Sequence, residues 1–484
     1  MIPLFNAQQS KELDQQIIAE GTPGLLLMKR AAWHLFACAR AHYPQTQRWL
    51  ILCGPGNNGG DGLACAQFAL LAGLDVSVFL TDEKMHGDAL SCLNELKALN
   101  TNIRSPVDLE TFSQELGQTD LLIDALFGIG LNRPLKQENI QLIETINAAS
   151  CPVISADLPS GLDADSGKHF GNAIKAEHTC TFLTRKIGLY THLGPDFCGQ
   201  IHYFNLHTNP LLETSPVASS HELNEWRQRI PTLRADNHKG SMGRVLLIGG
   251  HQNMMGAIQL SASACLHGGA GLTKVISDAQ HLIPLTQQQP ELMCYPPEKL
   301  DEQLQQSDLF ALGPGLGLDD WGARLYQNCM QNDLPRVLDA DALKWLAKMP
   351  TLNPRQILTP HPGEAAILLD SDSQSIQQDR VGAIKAIQKK YGGVVILKGK
   401  GSLIYDGNRL ELCPLGNPGM AVGGMGDVLT GVVAALWAKG MTPFDAACAA
   451  VYIHAAAADE CFKETGAAGL IPSLLPPKIG RLIG

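Results

Sequence analysis

The sequence predicts an α/β protein of two domains, each built on a parallel sheet. Three observations carry that prediction. Short apolar runs such as "RWLILC" (48–53) alternate with helical stretches such as "DGLACAQFALLAG", the rhythm of strands covered on both faces by helices. The rhythm breaks in a polar stretch with three prolines between 206 and 240, and then restarts. A chain of 484 residues, 45% hydrophobic and 17% charged, also holds ample material for two cores.

Taken in order, the first half offers strands at "RWLILC", "LDVSVFL" (74–80), "DLLIDALFG" (120–128), "PVISADLPSG" (152–161) and "HTCTFLT" (178–184), with a polar helix near 87–99. The domain boundary is expected between 216 and 217. The second half offers "GRVLLIGG" (243–250), a helix over 256–268, "TKVIS" (273–277), "LFALGPG" (309–315), "PRVLDADAL" (335–343) and "RQILTPHPGE" (355–364). A hairpin-like pair is expected near 394–406. The small-residue stretch 441–462 reads as a helix, packed tightly within the chain or against a second subunit.

Bulk properties exclude several classes. A net charge of −10 argues against an extended nucleic-acid footprint. No uncharged apolar run reaches the ~18 residues of a membrane span, and the N-terminus lacks the pattern of a signal peptide. A soluble, cytoplasmic protein is expected. Thirteen scattered cysteines without a C-x-x-C pair read as buried small hydrophobes, and no ligand spacing supports a zinc site.

The loop "CGPGNNGGDG" (53–62) follows a strand and opens a helix. Gly54, Gly56 and Gly59 match the dinucleotide fingerprint, with Asp82 roughly twenty residues on. Asp61 argues against a dehydrogenase, because it would sit where a pyrophosphate belongs and repel it. Asn57, Asn58 and Asp61 instead suit a cation, hydroxyl groups, or a phosphate held further along the pocket. Asp124 and Asp157 fall at the ends of two further strands, where parallel sheets bind ligands. Each of these acids could simply cap a helix; together they suggest one shared crevice.

In the second half, "GNPGMAVGGMGD" (416–427) holds five glycines in twelve residues and ends on an acid where a helix begins. Helix N-termini bind anions through free backbone N–H groups and the helix dipole. That dipole is expected to keep Asp427 ionised and a weak base.

The motifs "SKELDQQIIAEGTPGLLLMKRAA" (10–32), "GPGNNGGDG", "DALFGIGLNRPL" (124–135) and "ADLPSGLDADSG" (156–167) resemble the N-terminal domain of the bifunctional NAD(P)H-hydrate repair enzymes. The resemblance implies a Rossmann-like three-layer domain over 1–216 that epimerises the R and S hydrates of NADH and NADPH. It implies that Asn57, Asn58, Gly59, Gly60 and Asp61 contact the hydrate, with Gly128, Ile129, Gly130, Leu131, Asn132, Arg133, Pro134 and Asp157. It further implies K+ near Asn58, Asp124 and Ser160. Asp157 is the expected general acid/base.

"GGMGDVLTG" resembles the anion-hole loop of the ribokinase-like superfamily. With "TPHPGE" (359–364), "LDADAL" (338–343), "LGPGLG" (312–317) and "LKGKGSLI" (397–404), the second half resembles the ADP/ATP-dependent NAD(P)H-hydrate dehydratases. This implies a ribokinase-like α/β domain over 217–484. ADP would be held by Lys398, Gly399, Lys400, Gly401, Ser402, Asn417, Gly419, Gly423, Gly424 and Gly426. The hydrate would meet Ala257, Gly317, His361 and Asp427, with Asp427 taking the proton from the attacking hydroxyl. Glu364 would act through Mg2+. Ser402 stands where the family commonly has threonine, and the hydroxyl survives. Asp339 and Asp341 read equally well as strand-end caps, and His361 as a structural histidine.

The implied chemistry is metabolite repair. The ring hydroxyl of the S hydrate takes a phosphoryl group from ADP, AMP is released, and phosphate then leaves as the double bond returns. A homo-oligomer without nucleic-acid or membrane partners is expected. The rival readings are a ribokinase-like small-molecule kinase with a nucleotide-binding scaffold domain, and a non-enzymatic scaffold. The first does not explain "TPHPGE". The second does not explain the retained polar groups of the N-terminal crevice.

Overall fold

A computed structural model of the chain describes residues 1–99, 101–208, 215–232 and 242–484. The chain divides into two units, Pro3–Ala218 and Ser219–Gly484, the latter joined by Met1–Ile2. Parts of the polar stretch at the expected boundary, 209–214 and 233–240, lie outside the described residues.

In the N-terminal unit, seven parallel strands lie in the order Asn102–Arg104, Asp75–Leu80, Arg48–Cys53, Leu121–Ala125, Val153–Ala156, His178–Phe182 and Gln200–Phe204. Leu50, Ile51 and Leu52 are fully buried, as a parallel sheet covered on both faces requires. Each such side chain contributes roughly 1.5–3 kcal/mol of hydrophobic stabilisation. The chain winds outward in both directions from Arg48–Cys53. The order therefore reverses between Arg48–Cys53 and Leu121–Ala125, and the loops that follow these two strands, 54–56 and 126–134, flank the crevice where such sheets bind ligands.

Gly54 is required at this turn, because a Cβ there would stand 1.9 Å from the Leu126 carbonyl oxygen. Gly54→Ala is expected to cost roughly 1–3 kcal/mol by urea unfolding, since backbone must move to admit it. A cost within experimental error would show that the two loops are not in close contact.

The C-terminal unit repeats the plan. Parallel strands run Met293–Tyr295, Leu272–Ile276, Arg244–Ile248, Leu309–Leu312, Arg336–Leu338, Gln356–Leu358 and Val394–Leu397. Ser402–Tyr405 pairs antiparallel with Val394–Leu397, the hairpin expected near 394–406, and Leu410–Cys413 then pairs antiparallel with Ser402–Tyr405. Here the order reverses between Arg244–Ile248 and Leu309–Leu312. Helices Met255–His267 and Met425–Ala438 pack on one another, and Pro443–Gly469 packs on Met425–Ala438.

The small residues of Pro443–Gly469 are consumed inside the unit. Ala446, Ala447, Ala449, Ala450, Ala457 and Ala458 are fully buried, which accounts for that stretch without a second subunit. Within the polar 206–240 stretch the structure adds a short strand, Ala218–Ser220, and a helix, Leu223–Arg227, that buries Trp226. Their brevity hid them from the sequence pattern. All thirteen cysteines are free and eleven are buried. Among the described residues, no helix is long and apolar enough to cross a membrane.

Candidate functional site

The N-terminal crevice is a cavity of about 1160 Å³. Asn57, Asn58 and Asp61 line it from the N-terminal end of helix Asn57–Leu71. Gly128, Ile129, Gly130, Leu131, Asn132, Arg133 and Pro134 line it from the facing loop, together with Asp157. The helix begins at Gly56 with no side-chain cap, so its first amides remain available to an anion. Gly59 and Gly60 are buried behind the wall instead. A Cβ would stand 1.8 Å from the Gly54 carbonyl oxygen at Gly59, and 2.6 Å from the Met28 side chain at Gly60. They are the places where the helix comes closest to its neighbours.

Asp157 follows the strand Val153–Ala156 with φ at +64°, a conformation that costs a non-glycine residue about 1–3 kcal/mol and clusters at functional sites. Its carboxylate accepts a hydrogen bond from the Phe182 amide (3.2 Å) and one from the Thr181 hydroxyl (3.3 Å). It also pairs with the ammonium of Lys186, a fully buried lysine. Sequence reasoning missed Lys186, which stands beside Arg185 in the mixed stretch "HTCTFLTRKIGLY" and carries no local mark of its burial. Asp14, from helix Ala7–Ala19, lines the same cavity. Burial, with Asp157 and Asp14 nearby, pushes the Asp61 carboxyl well above the usual range. Burial and Asp157 likewise raise Asp14. One cavity thus holds an ion-paired aspartate beside two carboxyls whose proton affinity is raised, the pairing from which acid and base roles are made.

Behind the cavity, Asp124 is fully buried and accepts four hydrogen bonds. They come from the Ser155 hydroxyl (2.8 Å), the Ser160 amide (2.9 Å) and hydroxyl (2.5 Å), and the Leu126 amide (3.2 Å). Burial still raises its proton affinity. The Asn58 amide is buried with neither its oxygen nor its nitrogen hydrogen-bonded, and it packs under Gly128. A buried carboxylate, a serine hydroxyl and an unsatisfied amide oxygen make an all-oxygen donor set that fits a hard cation such as K+.

In the C-terminal unit, Gly424 (φ +98°) caps helix Met425–Ala438, and Asp427 is its third residue. Lys398 reaches the same place. Its ammonium lies 2.8 Å from Asp339 and 3.7 Å from Glu364. A Cβ on Gly426 would stand 3.0 Å from that ammonium, so the glycine loop rests directly on the lysine. Thr430 donates to the second Asp339 oxygen (2.7 Å). Against the penalty of burial, Lys398 and these hydrogen bonds hold the Asp339 carboxyl below its usual range. Asp339 is therefore the buried counter-ion of Lys398 rather than a strand-end cap.

Asp427 corrects the expectation of a weak, permanently ionised base. Burial, then Asp339, Glu364 and Asp341, outweigh Lys398 and push its carboxyl up to about 7. A base of that strength is matched to neutral pH. Lys398→Met should leave Asp339 buried and unpaired, at about 3–5 kcal/mol of stability by chemical unfolding. A Lys398→Met variant as stable as the parent would show that the pair is not desolvated.

Other expected residues have mixed placements. Gly317 (φ +79°), on the loop after Leu309–Leu312, and Ala257, in the first turn of helix Met255–His267, flank the point of strand reversal and are joined through Gly315, whose Cβ would touch Ala257 at 3.3 Å. The Gly317 amide donates to Asp341 (2.9 Å), which is within electrostatic reach of Asp427. The Ser402 hydroxyl donates to the Gly399 carbonyl (2.9 Å) and closes the turn that begins at Lys398, beside the exposed Gly399 and Lys400 and the buried Gly401. Gly423 is exposed on the glycine loop. Asn417 is spent locally: its oxygen caps Gly419 (3.0 Å) and its nitrogen donates to Asp459 (2.7 Å).

His361 is the N-cap of helix Pro362–Leu369. Its Nδ1 accepts from the Gly363 (3.0 Å) and Glu364 (3.3 Å) amides, while the ring stays half-exposed. Glu364 returns the bond to the His361 amide (2.8 Å). Its other oxygen faces the His361 Nε2 at 3.4 Å. Glu364 thus sits between the His361 amide and the Lys398 ammonium, with Oε1 toward the exposed His361 ring.

A glycine-opened helix with an aspartate at its third position, set over a half-buried lysine on a parallel sheet, places the C-terminal unit in the ribokinase-like class of α/β folds; the N-terminal unit is Rossmann-like. A solved ribokinase-like superfamily protein of Enterococcus faecalis V583 is similar at 28% identity and TM-score 0.51, over 57% of this chain and 96% of that one. A hypothetical protein of Streptococcus mutans is similar at 29% and 0.51, over 55% and 98%. Family profiles described as YjeF-related protein N-terminus and NAD(P)H-hydrate dehydratase match residues 24–188 and 245–481. Bifunctional NAD(P)H-hydrate repair enzymes are similar along the whole length. That of Coxiella burnetii is 39% identical over 100% of both chains, and that of Vibrio cholerae 40% over 99% of this chain and 98% of its own. The chain belongs to the bifunctional NAD(P)H-hydrate repair enzyme family.

Proposed function

We propose that this chain restores hydrated NADH and NADPH, acting as an isomerase over 1–216 and as a lyase over 217–484. The first unit interconverts R and S hydrates. The second dehydrates the S epimer with ADP, releasing AMP and phosphate. The observation that carries this reading is Asp427, a base of about neutral strength at a glycine-opened helix N-terminus over Lys398. Hydroxide is a poor leaving group, so the ring hydroxyl is activated first. Asp427 takes its proton as the hydroxyl oxygen attacks the β-phosphorus of ADP, and the bond to the bridging oxygen of AMP breaks. Free amides of residues 423–426 and the Lys398 ammonium stabilise the charge on the transferred group. Phosphate then departs with the C–O electron pair, assisted by the ring nitrogen's lone pair, and loss of a proton from the adjacent ring carbon restores the double bond.

In the first unit, Asp157 and Asp61, whose carboxyl is pushed well above the usual range by burial, are proposed to exchange protons with the hydrated ring. The amides opening helix Asn57–Leu71 receive the dinucleotide phosphates. Asn58, Asp124 and Ser160 would hold K+, which supplies positive charge beside a buried carboxylate. Magnesium is proposed to arrive on the ADP phosphates. A cytoplasmic homo-oligomer is the proposed setting. The test is product analysis with S-NADPH hydrate and ADP: equal amounts of AMP, phosphate and NADPH are expected. ADP consumption with a stable phosphorylated product and no NADPH would favour a small-molecule kinase.

A further inference from the structure

Away from both crevices, the fold gathers sulfur and imidazole ligands from two elements that are distant in sequence. Cys38 and His42 lie four residues apart on helix Gly24–His42, and so share one face of its last turn. His202 comes from the strand Gln200–Phe204, paired in register with Cys180 on His178–Phe182. One donor atom from each of Cys38, His42 and His202 lies within 4.8 Å of the other two. The sequence concealed this because only the Cys38–His42 spacing is local. We propose that these three residues form a zinc-binding site, with water in the fourth position.

The chemistry of the donors supports that choice. One thiolate and two imidazoles suit a borderline-soft ion of tetrahedral preference, and not Mg2+ or Ca2+. Tetrahedral bonding at about 2.0–2.3 Å needs ligand atoms roughly 3.3–3.8 Å apart, an adjustment of about 1 Å from the outer limit seen here. The surrounding residues are those that orient ligands. His178 Nδ1 hydrogen-bonds His202 Nε2 at 3.0 Å and so fixes the orientation of the His202 ring. The His42 and His178 rings lie 4.0 Å apart. Cys38 is buried while His42 is exposed, which gives an entry path from solvent. Bound zinc would fasten the end of Gly24–His42 to the strand whose neighbour supplies Thr181 and Phe182 to Asp157.

The test uses the untagged full chain, reduced and stripped with chelator, then titrated with Co2+ and Zn2+. One equivalent of Co2+ should give a thiolate-to-cobalt charge-transfer band and intense tetrahedral ligand-field bands, both bleached by Zn2+. Cys38→Ser should lose the charge-transfer band. His42→Gln, at an exposed position that leaves folding intact by circular dichroism, should weaken binding by about tenfold or more. Cys294→Ser, in the other unit, should bind as the parent does. Zinc should raise the Tm of the parent and not of His42→Gln. Cobalt spectra without a thiolate band, or equal binding by parent, Cys38→Ser and His42→Gln, would overturn the site.

Discussion

Asp427→Asn is expected to lower dehydration of the S hydrate by roughly 10³-fold or more while leaving epimerisation unchanged. Asparagine preserves the shape of the helix start and removes the one feature the reaction needs there, a group that accepts the hydroxyl proton. The pH dependence sharpens the expectation. Burial and neighbouring acids raise the Asp427 carboxyl to about 7, so below that pH the base is protonated and idle. Parent kcat/KM for dehydration should therefore rise with pH through about 7 and level off above it. The Asp427→Asn variant should be low and flat across the same range. A parent profile that is already flat between about pH 5 and 9 would remove Asp427 as the base.

The second large effect is at the other site. Asp157→Ala should reduce epimerisation by about 10²–10⁴-fold and leave dehydration of pure S hydrate intact. The alanine variant also strands Lys186, a fully buried ammonium, at about 3–5 kcal/mol of stability. Asp157→Asn separates the two effects, because its amide oxygen still accepts from Lys186 while its capacity to carry a proton is gone. Loss of epimerisation in Asp157→Asn with an unfolding midpoint above that of Asp157→Ala is the expected result. R-hydrate turnover at the parental rate in Asp157→Asn would exclude Asp157 from proton transfer.

These two residues also show where sequence reading succeeds and where it stops. The parallel strands were legible because burial on both faces leaves unbroken apolar runs such as "RWLILC", and the glycine loops because only glycine tolerates contacts like that of Gly54 with Leu126. The position of Asp427 at a helix start could be read from the glycines before it and the apolar helix after it. Its proton affinity could not. The dipole argument uses only local sequence, whereas Asp339, Glu364 and Asp341 arrive from other strand ends and reverse the outcome. Asp339 looked like a cap for the same reason: its partner Lys398 is 59 residues away. Lys186 and the Cys38, His42 and His202 cluster were hidden because their meaning lies in tertiary neighbours. Short edge strands such as Asn102–Arg104 carry too few residues to show a period.

The central claim is that one chain clears both hydrates, and the most direct measurement is recovery of reduced-nicotinamide absorbance from a mixture of R and S NADPH hydrates. With ADP present, recovery should proceed beyond the S fraction to completion. It should stop at the S fraction in Asp157→Asn and vanish in Asp427→Asn. No recovery with either ADP or ATP, or recovery that ignores both substitutions, would contradict the account.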